Sequence, residues 1–145
     1  MLHRLIPLCA LLLLSRGVPA QSPMVALPDG VQTVPVWSAE ELARDIAVRS
    51  LQRSEYASTH LIRLRGSEEP HFHDRHDLAI TLLSGESVLH FADRDIALSA
   101  GDAAFIPRGS YHWAENTGTD ASVVFAVFAP PFDGKDRRAA KPTTP

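Results

Sequence analysis

The sequence contains almost no cysteine: Cys9 is the single one in 145 residues. A fold held by disulfides is therefore excluded. Stability must come from a packed core, which a chain of this length can build because it buries roughly two-thirds of its unfolded surface. Long apolar runs are also missing. The apolar run at residues 5–14 is too short for a membrane span, which needs about 20 residues.

Basic residues are few as well. The 14 Lys and Arg face 17 Asp and Glu, which gives a net charge of −3. Without the first twenty residues, 12 basic and 17 acidic side chains remain and the net charge is −5. No basic stripe occurs, and a negative surface repels nucleic acids and anionic lipids. We therefore expect neither nucleic acid nor membrane as a partner of the processed chain.

Residues 1–20 have the layout of a secretory signal peptide. A positive charge at Arg4 is followed by the apolar run 5–14, and small residues precede Gln21. Cleavage after Ala20 would remove the only cysteine. We therefore expect an exported protein, periplasmic or secreted, whose mature chain folds without disulfides.

Residues 21–54 predict an N-terminal arm followed by a short helix. The prolines of segment 21–36 favour an extended conformation at a sheet edge. The arm also carries apolar side chains that an edge strand added to a neighbouring subunit would cover. We therefore expect a homodimer in which the arms contribute apolar contacts, namely Val25, Leu27, Val31 and Val34.

The helix has a clear start signal. Ser38 and Glu41 have the spacing of a capping box, so a helix is expected to begin directly after Ser38. Leu42 and Ile46 continue one apolar face at a spacing of four residues. The pattern predicts a helix over about 39–50, to which we assign no chemistry.

From Tyr56 onward, apolar and polar residues alternate in short runs separated by Gly-, Asp- and Pro-containing turns. Many short antiparallel strands are best protected at their edges by a closed barrel or a jelly roll. We predict an all-β domain over 55–133, a single small β-barrel or jelly roll, and a mobile polar tail over 134–145. The predicted strands are 56–65, 78–83, 86–91, 95–98, 103–106 and 121–129.

Three histidines have the spacing of a metal site. His71 and His73 are two residues apart on a predicted strand and therefore share one face. His112 follows on another strand about forty residues later. Neutral imidazole nitrogens bind Fe, Zn, Mn, Ni or Cu, and three of them leave coordination positions open for water or a substrate. We expect a divalent metal ion at these histidines.

Residues 101–116 resemble the second sequence signature of the cupin superfamily. The signature is a glycine, five residues, a proline, one residue, a glycine, two residues, a histidine, three residues and an asparagine. In this chain the matching residues are Gly101, Pro107, Gly109, His112 and Asn116.

The first cupin signature is matched approximately. Four residues lie between Gly66 and His71, where the signature has five. Gly85 takes the place of the closing glycine. The resemblance covers about residues 55–130. It implies a small β-barrel whose metal lies near one mouth, bound by His71, His73 and His112.

The family's metal-binding glutamate has no clear counterpart. Counting forward from His73 gives Asp77, whereas counting back from Gly85 gives Leu78, which cannot bind a metal. Strand alternation places Asp77 on the face opposite Leu78, and a bulge would reverse this assignment. We expect a three-histidine site and retain Asp77 as the alternative fourth ligand.

The other strand histidines are left outside the metal shell. His76 is a further candidate, but the preceding turn favours a solvated surface position. His60 and His90 are expected to be packed and hydrogen-bonded, with either able to line the cavity. The apolar residues expected to line or support the interior are Phe72, Leu82, Phe105, Val124 and Phe128.

The resemblance leaves the chemistry open, because one fold supports several functions. We expect a metal-dependent dioxygenase that acts on a small organic molecule, with a non-catalytic metal or ligand-binding module as the alternative. A metal-activated isomerase is a third possibility. It is weakened because the pattern shows no lysine or glutamate base on an inward-facing strand.

Overall fold

The computed structural model describes residues 22–28, 30–33 and 36–140. The predicted signal peptide, 1–20, lies outside these residues, as does Cys9. In the described part of the chain, no helix has the length and hydrophobicity needed to cross a bilayer.

The described chain forms one helix and twelve strands. Ten of the strands make two five-stranded antiparallel sheets, ordered β12-β5-β10-β7-β8 and β3-β4-β11-β6-β9, and the first two form a separate hairpin. The elements are β1 (Met24–Leu27), β2 (Gly30–Thr33), α1 (Ala39–Leu42), β3 (Ile46–Arg53), β4 (Ser58–Leu64), β5 (His71–His73), β6 (Asp77–Ser84), β7 (Glu86–Phe91), β8 (Asp95–Ser99), β9 (Ala103–Ile106), β10 (His112–Asn116), β11 (Ser122–Ala129) and β12 (Arg137–Ala139).

The two large sheets pack face to face around an apolar core. Alternate residues of their strands point inward, as the period of two predicts. The predicted all-β fold is confirmed, although the described strand ladders remain two separate sheets and do not close into a ring. The buried core between the sheets consists of Leu78, Leu82, Leu89, Leu98, Ile106, Ala126 and Phe128.

The N-terminal arm is extended, as predicted, but it packs on its own chain. Strands β1 and β2 form a hairpin, and Val25 is buried against Leu61 and Val123 on the outer face of the second sheet. The side chain of Val25 is therefore buried without a second subunit. The homodimer stays a prediction.

The predicted helix over 39–50 is wrong in its extent. The capping box of Ser38 and Glu41 forms as expected, but the helix ends at Leu42 and buries no side chain. Ile46 instead begins β3, in which seven of the eight residues pair with β4. A helical turn with no buried face cannot compete with a ladder of backbone hydrogen bonds on a half-buried sheet.

The predicted mobile tail, 134–145, contains an ordered strand. In β12, Arg137 is the pairing partner of His73 on β5. The preceding Asp136 is buried and accepts hydrogen bonds from the backbone N–H of Arg75 (2.9 Å) and from His76. These long-range partners hold the segment, although its composition is polar.

Two residues expected in the interior lie outside it. Phe105 is 61% exposed on β9. Phe72 packs against Tyr111 and under the guanidinium of Arg138, because β5 turns its flanking histidines inward and therefore turns Phe72 outward. The other three expected residues, Leu82, Val124 and Phe128, belong to the core or pack against it.

We predict that Gly85→Ala destabilises the fold more than Gly101→Ala. Both glycines have positive φ (+86° and +99°), so each alanine is strained by about 1–2 kcal/mol. At Gly85 the added Cβ would also lie 2.8 Å from the Cα of Ser122, whereas nothing lies within 4 Å at Gly101. The overlap adds about 1–3 kcal/mol. Urea unfolding of both variants measures the difference, and equal losses of stability would contradict the close approach.

Candidate metal centre

The pairing of β5 with β10 brings the three histidines together. His71 and His73 point to the same face of β5, and His112 is directly opposite His71 in the antiparallel register. All three side chains are buried. The residues that the sequence pattern singled out are therefore neighbours in the interior of the fold.

The ring nitrogens converge. The Nε2 atoms of His71 and His73 are 3.2 Å apart, and the ring centroids of His71 and His112 are 4.5 Å apart. One nitrogen from each of the three rings lies within 4.8 Å of the others. Such a group is close enough for one cation to be shared by all three.

Backbone carbonyls fix the orientation of two rings. The Nδ1 of His71 donates to the carbonyl oxygen of Glu69 (2.9 Å), and the Nδ1 of His112 donates to that of Ser110 (2.9 Å). A carbonyl oxygen can only accept, so Nδ1 carries the proton and Nε2 keeps its lone pair. This is the arrangement by which proteins orient histidine ligands of metals.

Burial keeps these imidazoles neutral. Burial first, and the neighbouring His112 ring second, lower the pKa of His71 to about 3 from the ordinary 6.5. The same two causes lower the pKa of His73 to about 4, and burial lowers the pKa of His112. Three buried, uncharged rings with converging lone pairs suit a divalent transition-metal ion, so the residues fit the metal that the pattern predicts.

The histidines border a cavity with two compartments. The inner compartment, about 80 Å³, lies between the sheets and is lined mainly by apolar side chains. The outer compartment, about 160 Å³, lies towards the edge strands β3 and β12. Five residues line both compartments, so the histidine cluster lies where the two meet: Ile62, Glu68, His71, His73 and Phe128.

Glu68 is a cavity residue that the sequence analysis missed. It lines both compartments, and its Oε2 accepts a hydrogen bond from the backbone N–H of Ala114 (3.0 Å). Its side chain is partly accessible because it faces the cavity, yet burial by the surrounding protein raises its pKa. The signal was the acidic pair Glu68-Glu69 before the histidines, but the pattern did not tell which of them turns inward.

Asp77 does not join the histidine cluster. Its carboxylate accepts hydrogen bonds from the backbone N–H (2.9 Å) and the Nε (3.2 Å) of Arg108, and these bonds lower the pKa of Asp77 to about 2. Strand alternation is regular here, so Leu78 is buried in the core and Asp77 faces the other way. Asp77 therefore lies outside the group of converging ligand atoms, and its role as a fourth ligand stays a prediction that this arrangement does not favour.

His76 is buried, contrary to the expectation of a solvated position. With His73 and Asp136 it forms a second group of potential ligands. However, the Asp136 carboxylate already accepts hydrogen bonds from His76 and from the backbone N–H and Nε of Arg75. We assign this group the structural role of attaching the segment before β12 to the loop after β5.

His60 and His90 stay outside the histidine cluster, as predicted. The Nε2 of His60 is 2.9 Å from the hydroxyl of Ser58, and the ring lines the outer compartment. His90 instead stacks on Trp113, with ring centroids 4.4 Å apart, and contacts Asp95 outside the cavity. Of these two histidines, His60 lines the cavity and His90 does not.

Comparison with known proteins agrees with this fold and site. The family model described as "Cupin domain" matches residues 61–128. An uncharacterized protein of Aquifex aeolicus (strain VF5) is 39% identical over 101 residues, which cover 70% of this chain and 83% of that protein. The chain belongs to the cupin superfamily.

Two solved structures illustrate the likeness. KdgF from Halomonas sp. is 25% identical with a TM-score of 0.57, and the match covers 62% of this chain and 83% of KdgF. Pac13, described as a nucleoside dehydratase, has a TM-score of 0.58 over 67% of this chain and 79% of its own, at 18% identity. Variants of Pac13 from Streptomyces have been solved with uridine. At this identity Pac13 shows the shared fold alone.

We predict that the metal-free protein loses stability as the pH falls from about 7 to about 4. The folded-state pKa of His71, about 3, lies below the ordinary 6.5, so the unfolded chain takes up a proton in this window that the folded chain does not. His71→Gln removes that proton uptake and should flatten the decline. Thermal unfolding in the presence of a chelator measures both slopes, and identical slopes would show that His71 titrates normally in the fold.

Proposed function

We propose that this chain is an exported metalloenzyme that binds one divalent transition-metal ion and a small organic molecule and catalyses a dioxygenase-type reaction. The observation that supports this proposal best is the convergence of three buried, neutral imidazoles at a cavity lined mainly by apolar side chains. The proposal of export rests on the sequence of residues 1–20.

His71, His73 and His112 would hold the metal. A bound Fe(II) ion would supply chemistry with O₂, and Zn(II) or Mn(II) would supply Lewis acidity. The chain's own contribution is to fix the rings through the carbonyls of Glu69 and Ser110 and to exclude water with apolar walls. Because the three ligands are neutral, the charge of the cation is left for an anionic substrate to compensate.

We predict that the isolated protein carries about one transition-metal ion per chain and that His112→Ala lowers metal affinity at least about tenfold. His90→Ala is the matched control, because His90 lies on the neighbouring strand β7 but outside the cluster. Elemental analysis and competition with a chelator measure the binding.

Oxygen consumption with panels of small organic acids then tests the reaction class. Loss of metal in both variants, or in neither, would contradict the assignment of the three histidines. Bound iron without oxygen uptake would contradict the dioxygenase proposal and favour a module that binds its ligand without turnover.

Glu68 favours a second candidate function, metal-assisted acid–base catalysis such as isomerisation. The sequence showed no base in the interior, but the structure places this carboxyl group in both compartments beside His71 and His73. Burial raises the pKa of Glu68, and a raised pKa favours a carboxyl group that can donate as well as accept a proton. The argument for a purely non-catalytic module is weaker for the same reason.

We predict that Glu68→Gln separates the two chemistries. Glutamine keeps an oxygen that can accept from the N–H of Ala114, so metal content should be unchanged. Acid–base turnover should fall by about 10²-fold or more, whereas oxygen uptake should persist. Because the pKa of Glu68 is raised in the fold, its ionisation costs stability as pH rises. The variant should therefore be more stable than the wild type at about pH 8, and lower stability there would contradict the burial of this group.

A further inference from the structure

The C-terminal segment forms one wall of the cavity mouth. Strand β12 is the edge strand beside β5, where Arg137 is paired with His73. Arg137 lines the outer compartment together with Glu68, His71 and His73. The next residue, Arg138, is turned to the other face, as the period of a strand requires.

The backbone on both sides of Arg137 is fastened to the sheet. The buried carboxylate of Asp136 accepts from Arg75 and His76, and although burial acts to raise its pKa, these bonds hold it at about 2, so it stays charged. On the other side, the N–H of Ala140 donates to the carbonyl oxygen of Pro70 (3.0 Å). The exposed Arg137 side chain therefore extends from a fixed position.

Arg137 differs from the arginines around it in having no acidic partner. Arg138 forms two hydrogen bonds to Asp74 (2.7 and 2.8 Å), and Arg75 and Arg108 pair with aspartates in the same way. Among the described residues no carboxylate forms an ion pair with Arg137. Its described hydrogen bond runs from Nη2 to the carbonyl oxygen of Glu69 (2.7 Å). A guanidinium has five N–H donors, so most remain available to a ligand.

The charges around the mouth favour an anion. Glu68 is the acidic residue that lines the outer compartment with Arg137; burial acts to raise its pKa, and the charge of Arg137 acts to lower it. A divalent cation at the three histidines would add two positive charges to that of Arg137. A planar carboxylate is the group that a guanidinium binds with two parallel hydrogen bonds. The outer compartment, about 160 Å³, has room for a short carbon skeleton against its apolar walls, which are formed by Ile46, Val48, Ile62, Phe128 and Phe132.

We propose that Arg137 is a specificity-determining residue that binds the carboxylate of a small organic acid at the mouth of the histidine site. This inference rests on the proposed function, because it names the substrate class of that same site. The carboxylate is held between Arg137 and the histidine cluster, and the carbon skeleton lies in the outer compartment.

The test is an NMR titration of ¹⁵N-labelled protein with acetate, and with acetamide as the uncharged molecule of the same shape. Wild type, Arg137→Gln, Arg137→Lys and the matched control Arg138→Gln are compared, each once after chelator treatment and once with zinc added. We expect Arg137→Gln to weaken acetate binding at least about tenfold, with a smaller loss in Arg137→Lys. Arg138→Gln should change acetate affinity less than about twofold, because its side chain faces away from the cavity.

Equal acetate affinity in the wild type and Arg137→Gln would overturn the proposal, and so would equal binding of acetamide and acetate. Tighter binding of inorganic phosphate than of acetate would overturn the carboxylate class. Zinc affinity is measured in a separate titration, because it tests the histidines and not Arg137. Arg137→Gln should bind zinc with the same affinity as the wild type. If no variant binds zinc but chelator-treated protein still binds acetate through Arg137, the metalloenzyme proposal fails and the carboxylate site stands.

Discussion

The register between β5 and β10 is the constraint on which the site depends. His112 lies directly opposite His71, and β5 is only three residues long. Because side chains alternate along a strand, a shift of either strand by one residue would turn its histidines to the outer face. The register is held from both sides, since β7 pairs with β10 along five residues and β12 pairs with β5 along three. The edge strand thus supports the centre of the site as well as its mouth.

Burial has two complementary effects on the chemistry of the cavity. It disfavours the charged form of every group, so it lowers the pKa of the histidines and raises that of Glu68. The lone pairs of the rings are thereby available to a metal, and the carboxyl group is disposed to keep its proton. In the inner compartment, burial therefore disfavours the charged form of all four titratable side chains that line it, Glu68, His71, His73 and His112. The charge of a metal cation bound there would therefore be compensated mainly by an anionic ligand that enters the cavity.

The sequence predicted those features that depend on neighbours close in the chain. Alternation gave the strands from 58 to 129, and motif spacing gave His71, His73 and His112. The helix boundary, the C-terminal strand and Glu68 were missed for a common physical reason, because each depends on a partner distant in sequence. Ile46 pairs with Leu64 on β4 and does not continue the capped helix. Asp136 is bonded to His76, sixty positions away. Likewise, nothing local to Glu68 shows that its carboxyl oxygen accepts a hydrogen bond from the backbone N–H of Ala114.

Family membership and ligand choice are determined by different parts of this chain. The match to the cupin domain covers 61–128, which includes the three histidines and Glu68. The outer compartment is completed by side chains outside this range, from β3, from the start of β4 and from the C-terminal segment, namely Ile46, Val48, His60, Phe132 and Arg137. The residues that could bind a metal and the backbone carbonyls that orient two of them lie within the match, so they are expected in cupins with different substrates. Residues outside the match shape the entrance and supply the unpaired guanidinium. We therefore expect discrimination between substrates in this chain to depend on the flanking strands, because their side chains form the entrance where a substrate first makes contact.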